Sequence, residues 1–179
     1  MNLSEIQEKL LKLPVPEIII RGEIVRQQYD HLFTALAFLR AERCTEAKLV
    51  IDSGGGDCSA GLDMCDAIRL SGIEFTGVVL NQAGSMASVI LQVCKVRQCA
   101  KHATILIHNT TRGLSWDTLR NKKKYKEFLK NFREKQGQII AFYRNRTKKS
   151  IREIKRLMDK DEYMTAQEAL AYGLIDQIV

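Results

Sequence analysis

The feature that most constrains this chain is a unit that occurs twice: a short apolar run, a turn bearing glycine, then a segment of helical period. In the first copy Ala47–Ile51 reads as a buried strand and Ser53–Gly56 as a tight turn, and Gly61–Leu70 reads as a helix with Leu62, Cys65 and Ile68 on one face. In the second copy Ile73–Leu80 is the strand, Asn81–Gly84 the turn, and Met86–Val93 a helix with Val89, Ile90 and Val93 inward. Thr104–Ile107 supplies a third apolar run. Strands alternating with helices at this spacing predict an α/β fold with a parallel sheet built from right-handed crossovers.

The remaining segments fit around that sheet. Residues 4–12 have the pattern of a short amphipathic helix, broken by Pro14 and Pro16, and Glu17–Ile20 is a short β-rich run. Tyr29–Arg43 repeats Leu32, Leu36 and Leu39 at helical spacing. A long polar helix is expected from about Thr118 to Phe142, and a second from about Ser150 to Met158. Thr165, with Glu168 three residues on and Gly173 at the far end, predicts a capped C-terminal helix. One domain over 1–179 with a projecting helical arm accounts for all of this.

Charge and cysteine usage narrow the class. Between Arg120 and Lys160 there are 16 Lys/Arg against 4 Asp/Glu. Such a block can bind nucleic acid or an acidic partner, but no aromatic-rich RNA-binding motif or zinc finger accompanies it, so a solvated helical face is the better reading. No run of about 18 apolar residues is present, so no membrane span is expected. Met1–Leu13 mixes Glu and Lys among its leucines, unlike a signal peptide's unbroken apolar segment, which makes the cytoplasm the expected location. Cys44, Cys58, Cys65, Cys94 and Cys99 form an odd set without a C-x-x-C pair, pointing to reduced thiols rather than a disulfide framework. With His31, His102 and His108 they lack the tight spacing of a metal site.

In open parallel sheets, reactive groups collect beyond the C-terminal ends of the strands. Three such ends carry something of interest: Ser53-Gly54-Gly55-Gly56, Gly84-Ser85-Met86, and His108. Ser85 stands where a strand turns into a helix, whose free N–H groups and partial positive charge favour a developing oxyanion. The bland alternative is that Ser85 only caps that helix. The surroundings are not a Gly-x-Ser-x-Gly elbow, since Ala87 replaces the second glycine. A neutral His108 on the neighbouring strand could take the serine proton, and Asp159 or Asp161 could orient it, with spacing unable to choose between them. His31 and His102 lie on polar segments and read as surface residues.

These segments together resemble the proteolytic subunit of the Clp protease, the ClpP family of serine peptidases. Ile51-Asp52-Ser53-Gly54-Gly55-Gly56 is similar to that family's Ile-Asn-Ser-Pro-Gly-Gly turn, with Ala60-Gly61 and Asp66 also in place. Gln82-Ala83-Gly84-Ser85-Met86 resembles its Gln-Ala-Ala-Ser-Met nucleophile segment, without a gap between the two patterns. Ile107-His108 resembles its Met-Ile-His, and Asp161 to Asp176 resembles its closing Asp-x-Phe-x-(Ser/Thr)-Ala-x-Glu-Ala-x-x-Tyr-Gly-Leu-(Ile/Val)-Asp. The resemblance covers about residues 17 to 179. Differences from the family pattern are Gly54 in place of Pro, and Asn109-Thr110-Thr111-Arg112-Gly113 where Gln-Pro and a Gly-rich strand usually follow the His.

What the resemblance implies is specific. It implies a ClpP/crotonase-like fold of repeated β-β-α units with a parallel sheet and a projecting helical handle at about 110–145. It implies catalysis by Ser85, His108 and Asp161, with the backbone N–H groups of Gly56 and Met86 as the oxyanion hole. Hydrolysis itself would need no cofactor, and ATP would enter only through a partner AAA+ unfoldase feeding in unfolded polypeptides. The partner set would be a homo-oligomer of heptameric rings, stacked as a tetradecamer. Asn109 after the His also suits the related phage head-maturation proteases. Rival readings are a crotonase-type acyl-CoA enzyme, and an inactive scaffold or basic nucleic-acid-binding subunit.

Overall fold

A computed structural model describes residues 8–111 and 113–179. Of the helix expected over 4–12, residues 8–11 are helical and 4–7 lie outside the described residues, as does Arg112 of the segment after His108. β1 (Glu17–Ile24) pairs in parallel with β2 (Glu46–Gly56), and β2 in parallel with β3 (Glu74–Gly84). β3 then serves two neighbours along its length. Thr76–Val79 pair with β4 (Val96–Cys99), and Gln82–Gly84 pair with β5 (Thr104–Leu106). β7 (Gln177–Ile178) extends the sheet beyond β4, and the short β6 (Met164–Thr165) runs antiparallel to β5. The chain thus has a mixed α/β fold with a mostly parallel sheet.

Two register breaks aim the strand ends. One falls between Arg21 and Glu23 of β1, the other between Ile51 and Ser53 of β2. Such irregularities bend a strand, increase its twist and occur preferentially beside active sites. Here they immediately precede Ser53–Gly56 and Gln82–Gly84. Ser53–Gly56, expected as a tight turn, and Asn81–Gly84, expected as a turn, are instead the last residues of β2 and β3.

The helices are placed by their apolar stripes. α1 (Arg26–Ala41) buries Leu32, Ala35, Leu36 and Leu39, a spacing that keeps them on one face of a 3.6-residue helix. Each of the three leucines contributes about 1.5–3 kcal/mol of transfer free energy on full burial. α2 (Cys58–Leu70) buries Ala60, Gly61, Met64, Cys65 and Ile68. α3 (Met86–Leu91) is buried on every side, packed on β2, β3 and α2, which explains why the sequence is apolar around its whole circumference except at Ser88.

The long polar helix differs from expectation. It is two helices, α4 (Trp116–Arg120) and α5 (Lys122–Thr147), because the Asn121 carboxamide oxygen accepts the Lys123 and Lys124 N–H groups and starts a new helix. α5 runs on past Phe142, since Ile139, Ile140, Phe142 and Tyr143 give its C-terminal part a buried face. Its lysine-rich N-terminal half buries no residue. α6 (Ile151–Met158) and α7 (Ala166–Tyr172) both begin with a capping box, Ser150 with Glu153 and Thr165 with Glu168.

β4 had no sequence signal because it turns an arginine inward. Arg97 is only 4% exposed. Its guanidinium is ion-paired with Asp176 and donates at 2.8 Å to both Gln92 Oε1 and the Gly173 carbonyl, so the buried charge is fully met. Among the described residues no helix is long and apolar enough to cross a membrane.

Candidate active site

Ser85 joins β3 to α3 with φ 50° and ψ −122°, a backbone region that disfavours any residue with a Cβ. It is held there by hydrogen bonds on both sides. Its N–H donates to the Leu106 carbonyl at 2.9 Å, which ties it to β5. Its carbonyl accepts the Ser88 hydroxyl at 2.6 Å and the Ser88 N–H at 3.1 Å. The Ser88 hydroxyl in turn lies 2.8 Å from the Tyr143 hydroxyl, and since Ser88 donates to Ser85, Tyr143 donates to Ser88. Both Ser88 and Tyr143 are buried, and burial raises the Tyr143 pKa, keeping the phenol a donor.

The Ser85 side chain makes no capping hydrogen bond, so the bland reading of it as an N-cap does not describe this junction. A strained backbone with an uncommitted hydroxyl is an observation from which function can be argued.

The glycine segment of β2 lies directly against this junction. Gly55 is buried, with φ +104°, and a Cβ there would come within 2.6 Å of Ser85 Cβ, 2.8 Å of the Gly84 carbonyl and 3.1 Å of Met86 N. Only a residue without a side chain lets the two backbones approach so closely. Ser53, fully buried, fixes the segment: its hydroxyl donates to the Gly22 carbonyl and accepts the Gly55 N–H at 3.1 Å. Gly56, the next residue, lies against Ile24 of β1, and at the start of α3 Met86 carries one of the helix's first N–H groups, which have no partner within the helix.

His108 follows β5 and is about one-fifth exposed, with Nδ1 3.4 Å from Asp161 Oδ1. Asp161 is 68% exposed and has a left-handed backbone, φ +51°. The choice that spacing left open is separated by contacts: Asp161 faces the imidazole, whereas Asp159 Oδ1 accepts a hydrogen bond from Asn109 Nδ2 at 2.7 Å. No hydrogen bond joins the Ser85 hydroxyl to His108 among the described residues. His31 and His102 are both exposed, far in character from this half-enclosed position.

Three of the five cysteines, Cys65, Cys94 and Cys99, are buried. Burial pushes the Cys65 thiol up strongly, Cys94 up to about 12 and Cys99 up to about 11, so these remain unreactive thiols. Among the described residues no group of three or more His, Cys, Asp or Glu could hold a metal ion.

Several supporting residues escaped sequence reasoning. Ser88 is a single polar residue in an apolar helix, Gln136 is one polar position among many in the long helix, and Tyr143 lies just past that helix's expected end. Their partners are 55 and 26–27 residues away, and no local spacing signals such pairs.

What the arrangement offers is a serine hydroxyl at a helix start, adjacent backbone N–H groups on two segments, and an imidazole paired with a carboxylate. A family model described as Clp protease matches residues 2–179 of the chain. With that match running through both glycine segments, Ser85, His108 and Asp161, the chain belongs to the Clp protease family, whose members are serine peptidases.

Proposed function

We propose that this chain is a serine endopeptidase that hydrolyses unfolded polypeptides within an oligomeric chamber. The observation that carries the reading is the Gly55–Ser85–Met86 junction. It presents a strained serine at a helix N-terminus, pressed against the Gly55 backbone.

In this reading Ser85 Oγ attacks a peptide carbonyl carbon while His108 Nε2 takes its proton. The carbonyl oxygen becomes an oxyanion between the N–H groups of Gly56 and Met86, an interaction typically worth 10²–10³ in rate per donor. Asp161 holds the imidazole through Nδ1. The tetrahedral intermediate collapses, His108 protonates the departing amine, and an acyl-enzyme remains on Ser85. Water, deprotonated by His108, then attacks the acyl carbon and releases the second product. The bond-breaking steps use only these groups, and ATP would enter through a partner unfoldase. The Ser85–His108 hydrogen bond forms on assembly or substrate binding, as catalytic contacts commonly tighten only in the complex.

The assembled form is proposed from the family, whose members usually form rings. The lysine-rich half of α5, without a buried residue in the single chain, supports a role as a handle between copies. The test is degradation of an unfolded polypeptide by purified wild type and by Ser85→Ala. The reading expects fragments with wild type and none with the variant; fragments of equal yield from both would overturn it.

A further inference from the structure

The His108–Asp161 contact is weak by itself. The contact is 3.4 Å long, Asp161 is 68% exposed, and neither residue lies in a helix or strand. An exposed contact of that kind stabilises by at most about 1 kcal/mol. Further contacts between the two segments that carry it add to the alignment.

Directly beside it runs a second link between the same two segments. Asn109, next to His108, donates from Nδ2 to Oδ1 of Asp159, two residues before Asp161, at 2.7 Å. The other end of the Asn109 carboxamide accepts from Gln136 Nε2 at 2.8 Å. Gln136 Oε1 then accepts the Thr110 N–H at 2.9 Å and the Thr110 hydroxyl at 2.6 Å. The orientations are forced in turn, since a carboxylate can only accept and so must face the Asn109 NH₂. Gln136 sits on α5, so the irregular chain after His108 is pinned both to a long helix and to the loop of the orienting acid.

Asp159 has no local reason to be an acid. It is the C-cap residue of α6, where the helix dipole disfavours a negative charge. Its backbone N–H already bonds within the helix, to the Lys155 carbonyl. What its side chain does supply is the acceptor for Asn109.

We infer that Asn109, Gln136 and Asp159 form a positioning brace that sets His108 against Asp161. The inference rests on the serine-peptidase reading above, and Asp159 and Gln136 are positioning residues that touch no substrate. Replacing Asp159 by Ala removes the acceptor, whereas Asn keeps an amide oxygen for the same bond and relieves the charge at the helix end.

The experiment measures the second-order rate constant for labelling by a fluorophosphonate, on purified assembled protein with melting temperature as a fold check. It compares wild type, Asp159→Ala, Asp159→Asn, Asp161→Ala and the Asp159→Ala/Asp161→Ala double variant. Asp159→Ala is expected to label about tenfold more slowly, Asp159→Asn within about twofold of wild type, and the double variant no more slowly than Asp161→Ala, because residues acting through one contact are non-additive. Gln136→Leu should slow labelling in the same direction. A wild-type rate in Asp159→Ala, an Asn variant as slow as the Ala variant, or multiplicative losses in the double variant would each overturn the brace. A folded wild type that takes no label would overturn the serine reading together with the brace, and so separates the two failures.

Discussion

Replacing Gly55 by alanine tests whether close backbone approach builds the site. At φ +104° an L-residue is strained whatever its surroundings, at about 1–2 kcal/mol. The added Cβ would also stand 2.6 Å from Ser85 Cβ and 2.8 Å from the Gly84 carbonyl oxygen, where carbon contacts prefer about 3.5–4.0 Å. Both obstacles are held by backbone, so the segments must part by about 1 Å, and overpacking of that kind costs a further 1–3 kcal/mol or so. The expected destabilisation is about 2–5 kcal/mol by urea titration. Gly72 is the control: it also has positive φ, +76°, but a Cβ there meets nothing within 4 Å, so Gly72→Ala should cost only the strain of about 1–2 kcal/mol. Parting the segments moves Gly56 away from Ser85, and a 1 Å misplacement at a reacting centre can cost about 10²-fold in rate. Fluorophosphonate labelling should therefore fall by about that factor in Gly55→Ala under conditions where it remains folded. Equal stability losses in the two variants, or wild-type labelling in Gly55→Ala, would refute the reasoning.

Two further predictions follow from the same geometry. At Ser85, with φ 50° and ψ −122°, Gly should be more stable than Ala by about 1 kcal/mol, because strain relief exceeds the added chain entropy of glycine; equal urea midpoints for Ser85→Gly and Ser85→Ala would show that the backbone is not strained. Asp176→Asn leaves Arg97 buried beside a neutral partner and should cost about 3 kcal/mol near pH 7. The Arg97 hydrogen bonds hold the Asp176 carboxyl below its ordinary range, so the native state binds the proton less readily than the unfolded chain. The stabilisation is complete above the unfolded value of about 4 and fades as pH falls through the lower native value. The gap between wild type and variant should thus shrink as pH falls below about 4, and a gap independent of pH would contradict the pairing.

How much of this was legible in the sequence depended on whether a feature is periodic. The parallel repeat could be read because Ala47–Ile51 and Ile73–Leu80 are short, mostly apolar runs followed by helical patterns. β4 could not, because Arg97 occupies an inward position and its charge is met by Asp176, which lies 79 residues away. The glycines of Ser53–Gly56 signal a turn to any local rule, yet they end a strand whose backbone must approach Ser85. The break between α4 and α5 was in principle visible, since Asn121 is a good N-cap, but the lysines around it are strong helix formers and masked it. For the site, spacing nominated Ser85 and His108 and left two aspartates open. Asp159 and Asp161 are separated only by where each carboxylate points, and that depends on the positive φ of Asp161 and on Asn109. The brace residues carry no pattern at all, because one amide among many on a polar helix face is silent until its partners are placed.

The central claim is that Ser85 is an activated nucleophile. The most direct measurement is intact mass after exposure of the folded, assembled protein to a fluorophosphonate, for wild type and Ser85→Ala. The account predicts one adduct per chain in wild type and none in the variant, with His108→Ala also failing to label because nothing takes the serine proton. A wild type that stays unmodified, or an adduct that persists in Ser85→Ala, would contradict it.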